Sequence, residues 1–186
     1  MQEIDIIELC KNGDKESFSL LYDLYFNKIY NFVYYKTSHK ETTEDLVSVT
    51  FLKALEKINK FKSNKGTFQA WLFRIARNTV IDYYRKRKTV YDISDVWDFK
   101  SNDNFLKDIQ QKKEVEKIIE FMKTLTSMQR EIIILRIWEN MSYKDIAEIM
   151  GKSEASCKML FKRSIEIIKK EIPLFIILFL LMKTNL

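Results

Sequence analysis

The sequence predicts an all-α protein: two small helical domains joined by a flexible acidic linker, the C-terminal one a helix-turn-helix. Three observations predict this. The 186 residues include only three glycines and one proline, so tight turns are few and helices run long. Apolar residues recur at three- and four-residue spacing over most of the chain, and the spacing lapses between Thr89 and Lys113. Near the C-terminus, SYKDIAEIMGKSEASCKMLFKR reads as a short helix, a glycine break and a long basic helix. The apolar content of 46% supplies real cores and excludes wholesale disorder. The length allows one ordinary domain or two small ones.

Residues 1–88 read as a helical bundle. A first helix runs from Asp5 to Asn12 and stops at Asn12-Gly13. Asp14 caps a second, reaching about Thr37, with Phe18, Leu21, Tyr22, Tyr25, Ile29 and Phe32 on its inner face. That aromatic density suits core packing better than a ligand box. Thr42-Thr43-Glu44-Asp45 resembles a capping box and opens a third helix to about Lys60. Its apolar stripe is Leu46, Val49, Leu52, Leu55 and Ile58, flanked by Val47 and Phe51. Phe61 to Lys65 form a short polar loop. Gly66 and Thr67 then open the fourth helix, whose Phe68, Trp71, Leu72, Ile75 and Ala76 share one face.

Residues 89–113 carry Asp92, Asp95, Asp98, Asp103 and Asp108 among Asn and Ser without a helical period, and read as the linker. It is either a solvated connector or a segment lying in a cationic channel as a nucleic-acid mimic. The second domain covers 114–172. Val115, Ile118, Ile119, Met122 and Leu125 resume the helical period. Thr126 with Gln129, and Ser142 with Asp145, mark two further helix starts, and Ile132–Met141 reads as apolar-faced helix. Ala147 is small where two helices cross, Gly151 permits the tight turn, Ser153 restarts the chain, and Cys157 and Leu160 face inward. Pro173 ends the last helix, leaving an apolar tail over 173–186. Its run from Leu174 to Met182 is too short to span a bilayer, which takes about 20 residues. The tail packs on the second domain, docks a partner or dips into a membrane interface, the first being preferred and membrane contact the least expected.

Net charge is +6 and the isoelectric point about 9.1, which favours an anionic partner. The charge is local. Residues 1–60 carry ten acids and eight bases, whereas Arg74, Arg77, Arg85, Lys86, Arg87 and Lys88 face only Asp82. These cations alternate with Trp71, Tyr83 and Tyr84, and cations with aromatic faces suit phosphates and unpaired bases. A solvated basic face is the plainer alternative. Cys10, Cys157 and His39 cannot assemble a zinc site, and the two cysteines read as small core residues. No nucleophile–base pair, phosphate loop or metal cluster is visible, so neither enzymatic activity nor a cofactor is expected. The N-terminus is acidic where a signal peptide is basic, so a cytoplasmic location is expected.

WLFRIARNTVIDYYRKRK closely resembles the promoter-reading segment of bacterial RNA polymerase sigma factors of the extracytoplasmic-function (ECF) group. The likeness extends over roughly residues 14–172. EDLVSVTFLKALEKI is similar to the segment that grips the polymerase clamp helices, which implies polymerase binding by Asp45, Leu46, Phe51 and Leu55. Ser48 and Val49 stand where Gln and Glu are usual. The loop of Lys62, Ser63, Asn64 and Lys65 corresponds to the family loop that captures a flipped base of the minus-ten element. The same resemblance implies minus-ten contacts from Phe68, Trp71, Arg74, Arg77, Asn78 and Arg85. SEASCKMLFKR resembles the minus-thirty-five reading helix and places Ser156, Lys158, Met159, Lys162 and Arg163 toward DNA. Met159 and Leu160 depart from the usual small polar residue and arginine.

The resemblance implies a non-enzymatic sigma factor that binds core RNA polymerase and promoter DNA, with an anti-sigma factor as a further candidate partner. The alternative is a polymerase-independent helix-turn-helix regulator. It accounts for residues 142–172 but leaves the EDL helix and the Trp71 segment unexplained.

Overall fold

The computed structural model describes residues 2–37, 39–87 and 125–171. The linker expected over 89–113, the helix expected from 114 and the tail 173–186 lie outside the described residues. Seven α-helices and no strand occur among the residues described. The chain divides into two units, Met1–Val96 and Trp97–Leu186. Among the described residues no helix is long and apolar enough to cross a membrane.

The first unit holds α1 (Glu3–Lys11), α2 (Phe18–Thr37), α3 (Lys40–Lys57) and α4 (Phe68–Arg87). Two 3-10 turns, Ile58–Lys60 and Ser63–Lys65, join α3 to α4. Asp14 Oδ1 accepts from the backbone N–H groups of Glu16 and Ser17 at 3.0 and 3.2 Å, turning the chain into α2. The start of α3 differs from expectation. His39 is its cap, Nδ1 accepting from the Thr42 N–H at 3.4 Å, and the helix begins before the Thr42–Asp45 box.

The inner faces of α2, α3 and α4 meet. Leu21, Ile29, Phe32 and Val33 of α2 oppose Leu72, Phe73, Ala76 and Val80 of α4, and the Phe32 and Phe73 rings lie edge-to-face at 5.0 Å. The α3 stripe is rotated from the one expected. Thr43, Leu46, Val47, Thr50, Phe51 and Ala54 face the core, while Val49 and Leu52 point out, Leu52 being 60% exposed. The two threonines can face the core because their hydroxyls are satisfied: Thr50 Oγ1 donates to Leu46 O at 2.7 Å, Thr43 Oγ1 to His39 O at 2.8 Å, with Thr37 Oγ1 of α2 2.6 Å from Thr43 Oγ1. In α4 the buried set is likewise shifted, taking in Phe73 and Val80 while Ile75 is only half-buried.

The second unit holds α5 (Ser127–Ile133), continued by a π-helical turn Ile134–Trp138, then α6 (Tyr143–Met150) and α7 (Glu154–Glu171). Both expected starts are present. Thr126 and Gln129 form a reciprocal capping box, and Ser142 Oγ accepts from Asp145 N–H at 3.1 Å. The helix expected to reach Met141 stops sooner, at Trp138, and the chain turns at Asn140, where φ is +49°. Arg136 Nη1 donates to Met141 O at 2.6 Å and closes this corner. Both α5 and α6 pack on α7, burying Ile132, Leu135, Ile146, Ile149, Cys157 and Ile168.

Candidate nucleic-acid interface

Two separate surfaces carry the residues expected to meet DNA. On the first unit, Thr67 Oγ1 accepts from Ala70 N–H at 3.1 Å and starts α4 directly after the Ser63–Lys65 turn. Helical spacing then brings Arg74, Arg77, Asn78, Ile81 and Arg85 onto one outward stripe. Arg74 and Arg77 are half-buried, and Asn78 and Arg85 are exposed. Arg85 Nη2 lies 2.9 Å from Asp82 Oδ1, one turn back. An exposed pair of this kind contributes little stability, so a phosphate can displace the carboxylate at small cost. Lys62, Ser63 and Asn64 are exposed at the head of the stripe. Lys65 closes the turn, its side chain lying outside what the structure describes.

The aromatic residues of this segment are not on that surface. Phe68 is 2% and Trp71 9% exposed; with Phe61 they form a cluster whose centroids lie 5.4–5.6 Å apart. Burial removes Phe68, and nearly all of Trp71, from direct contact with a base, so both support the surface from beneath. Tyr84 OH donates to Lys36 O at 3.1 Å, and Tyr83 OH lies 3.5 Å from Thr42 Oγ1. Through these hydroxyls the two half-buried tyrosines tie α4 to the end of α2 and the start of α3.

Similar sorting applies to the expected polymerase contacts. Asp45 is exposed and Leu55 half-buried, whereas Leu46 and Phe51 are in the core, where Phe51 packs 4.7 Å from Tyr22 and 6.5 Å from Phe18. The outward face of α3 consists of Asp45, Ser48, Val49, Leu52 and Glu56. Val49 and Leu52 were missed as surface residues because their spacing also fits an inner stripe. Buried Thr43 and Thr50 are the signal that assigns the inner face elsewhere.

On the second unit, Gly151 adopts φ +65°, ψ +40°, and both its N–H and that of Lys152 donate to Ala147 O. This left-handed cap reverses the chain from α6 into α7. Ser153 Oγ accepts from Ser156 N–H at 3.2 Å and starts α7. Cys157, Ser164 and Ile168 face the core, so Met159, Lys162 and Arg163 stand together on the opposite face, all exposed. Ser156 flanks them on one side, its hydroxyl 2.9 Å from that of Ser153. Lys158 flanks them on the other, with Nζ 5.8 Å from the Tyr143 ring centroid and Arg136 stacked on the same ring at 4.9 Å. Neither cysteine is poised for chemistry: burial raises both thiol pKa values, aided at Cys10 by the charge of Asp14.

The family model for Sigma-70 region 2 matches residues 21–90, and that for Sigma-70 region 4 matches residues 116–166. The chain is 30% identical over 169 residues to the ECF RNA polymerase sigma factor SigX of Bacillus subtilis, covering 86% of each protein. This chain belongs to the ECF sigma factors. It is also 29% identical over 177 residues to BldN of Streptomyces coelicolor, spanning 91% of this chain and 66% of BldN. Among solved structures it resembles the sigma factor RpoE of Bartonella quintana, determined with the anti-sigma factor NepR, with a TM-score of 0.64 and 25% identity over 83% of this chain and 96% of that one. Sigma factors bind core RNA polymerase and promoter DNA and direct promoter-specific initiation. The two surfaces expected to meet DNA thus fall one in each matched region of this ECF sigma factor.

Proposed function

We propose that this sigma factor reads a promoter at two points while bound to core polymerase in the cytoplasm. The turn of residues 62–65 captures a flipped minus-ten base, and Arg74, Arg77, Asn78 and Arg85 track the opened strand. The outward face of α7 enters the major groove at the minus-thirty-five element, with Met159, Lys162 and Arg163 at its centre and Ser156 and Lys158 at its edges. Asp45, Val49, Leu52 and Leu55 of α3 meet the polymerase. The chain contributes binding and strand capture, and the bond-making chemistry is the polymerase's own. An anti-sigma factor is a further partner, a reading supported by the likeness to RpoE, which was solved with one.

The observation that carries this reading is the stripe on α4. Three arginines and an asparagine share one outward line on the helix that follows the 62–65 turn. A helix-turn-helix repressor has no use for such a stripe on a second unit. Each reader is small, and joining them raises the effective concentration of the second contact once the first is made. Run-off transcription with core polymerase tests this. Defined start sites are expected with the intact chain and loss of promoter binding with either unit alone. Specific duplex binding without polymerase, and no stimulated initiation, overturns it in favour of a free-standing regulator.

A further inference from the structure

Residues 62–67 leave the bundle and return to it on the same group of rings. Phe61 precedes the excursion and Phe68 follows it, and the two rings meet edge-to-face at 5.5 Å. The geometry of that pair therefore fixes the distance the turn spans. The first helix holds the pair from both sides. Lys11 Nζ sits 5.5 Å from the Phe61 ring centroid and is itself held at 2.8 Å by Glu8, one turn earlier. Glu3 accepts a hydrogen bond from Tyr25 OH, and the Tyr25 ring lies 5.6 Å from Phe68. Between these ends Ile6, Ile7 and Cys10 are buried, and α1 packs on the 3-10 turn Ile58–Lys60 that leads into Phe61. This helix lies wholly before residue 21, where the region 2 match begins.

We propose that α1, through Glu3 and Lys11, is a positioning element for the 62–65 turn, setting the geometry in which a minus-ten base is captured without touching DNA itself. The inference rests on the minus-ten reading of that turn. A flipped base has lost its stacking energy and regains it only in a pocket of preset shape. The exposed residues Lys62, Ser63 and Asn64 do little packing of their own, so the order of the turn comes from its ends. Fixing those ends in advance lowers the entropy lost when the base enters. The acids Glu3, Asp5 and Glu8 disfavour direct phosphate contact by α1, so its influence passes through the rings.

The test uses the full chain with core polymerase and a promoter fragment carrying 2-aminopurine at the minus-ten position, promoter and position being defined by run-off transcription. Fluorescence reports base extrusion, and binding at a temperature where the duplex stays shut reports the closed complex. Lys11→Met is expected to lower the open-to-closed ratio about threefold, the scale of one cation–ring contact. Adding Glu3→Gln takes the loss to about tenfold. Closed-complex affinity stays within about twofold, and Lys11→Arg, which keeps the cation, restores extrusion. Asn64→Ala in the turn is the control for the underlying reading. If it abolishes extrusion while the α1 variants leave extrusion unchanged, the positioning role is wrong and the minus-ten reading stands. If Asn64→Ala also leaves extrusion intact, both are wrong. Equal losses in closed-complex binding, extrusion and melting temperature in the α1 variants reduce α1 to general scaffold and overturn the proposal.

Discussion

Replacing Gly151 by alanine isolates one physical cost in the helix-turn-helix. The residue sits at φ +65°, and a Cβ built there meets nothing within 4 Å. Steric overlap is therefore absent, and only the left-handed backbone opposes the change. That conformation costs an L-residue about 1–2 kcal/mol. Alanine also stiffens the unfolded chain, which returns about 0.4–1 kcal/mol. The net expectation is a loss of about 1 kcal/mol, or roughly 4–8 °C in the melting of a unit this size. Gly151→Asn should lose less, because asparagine tolerates the left-handed region. Calorimetry of the full chain reads the transition of the second unit. Duplex binding by the folded protein should not change, since Gly151 is not among the residues expected to meet DNA. A loss above about 3 kcal/mol would show that the turn is crowded, and no loss would show that φ is not positive; either refutes the reasoning.

Two further predictions concern the reading helix and the first turn. Met159 is 54% exposed among polar and charged neighbours, and the only apolar group on a base edge in the major groove is the thymine methyl. Replacing each minus-thirty-five thymine by uracil should find one position where affinity falls severalfold, and Met159→Ala should abolish that difference; a methyl effect untouched by the variant refutes the contact. Asp14 is held below its usual pKa, first by the Ser17 hydroxyl and then by the Ser17 backbone N–H. A depressed folded pKa contributes stability that is present above the unfolded value and lost as pH falls through the folded one. The stability gap between wild type and Asp14→Ala, measured by denaturant unfolding, should therefore be full at pH 7 and shrink below the ordinary aspartate value of 3.8; a gap independent of pH rejects the pairing.

Much of the fold was legible because its signals are local. The caps at Thr126 and Ser142 and the glycine turn at 151 each rest on a few adjacent residues and appear where expected. The errors arise where a side chain's role depends on another element. His39 displaces the Thr42–Asp45 box as the cap of α3, since a histidine is rarely read as one. Thr43 and Thr50 turn toward the core because their hydroxyls are satisfied there, Thr50 by Leu46 O and Thr43 by His39 O and Thr37 Oγ1, which no apolar period reveals. That rotation carries Phe51 inward and Val49 and Leu52 outward, while Leu46 stays on the inner face as the stripe predicts. The π-helical turn at Ile134–Trp138 has no sequence signal beyond an apolar run, and ends α5 short of Met141.

The candidate site follows the same division. Charges were readable, because a long cationic side chain usually keeps its charged end at the surface wherever its helix packs. Aromatic residues were not, because one ring serves equally as a stacking platform and as core. Trp71 took the second role, and Tyr83 and Tyr84, half-buried, are tied by their hydroxyls to Thr42 and Lys36. The consequence is mechanical. Trp71 in the core and the tyrosine hydroxyls join α4 to its neighbours, so the arginine stripe is presented on a packed helix. The same arrangement recurs in α7, where Cys157, Ser164 and Ile168 hold one face and Met159, Lys162 and Arg163 occupy the other. A reader built this way loses little backbone entropy on binding, so even a few polar contacts per unit register as affinity.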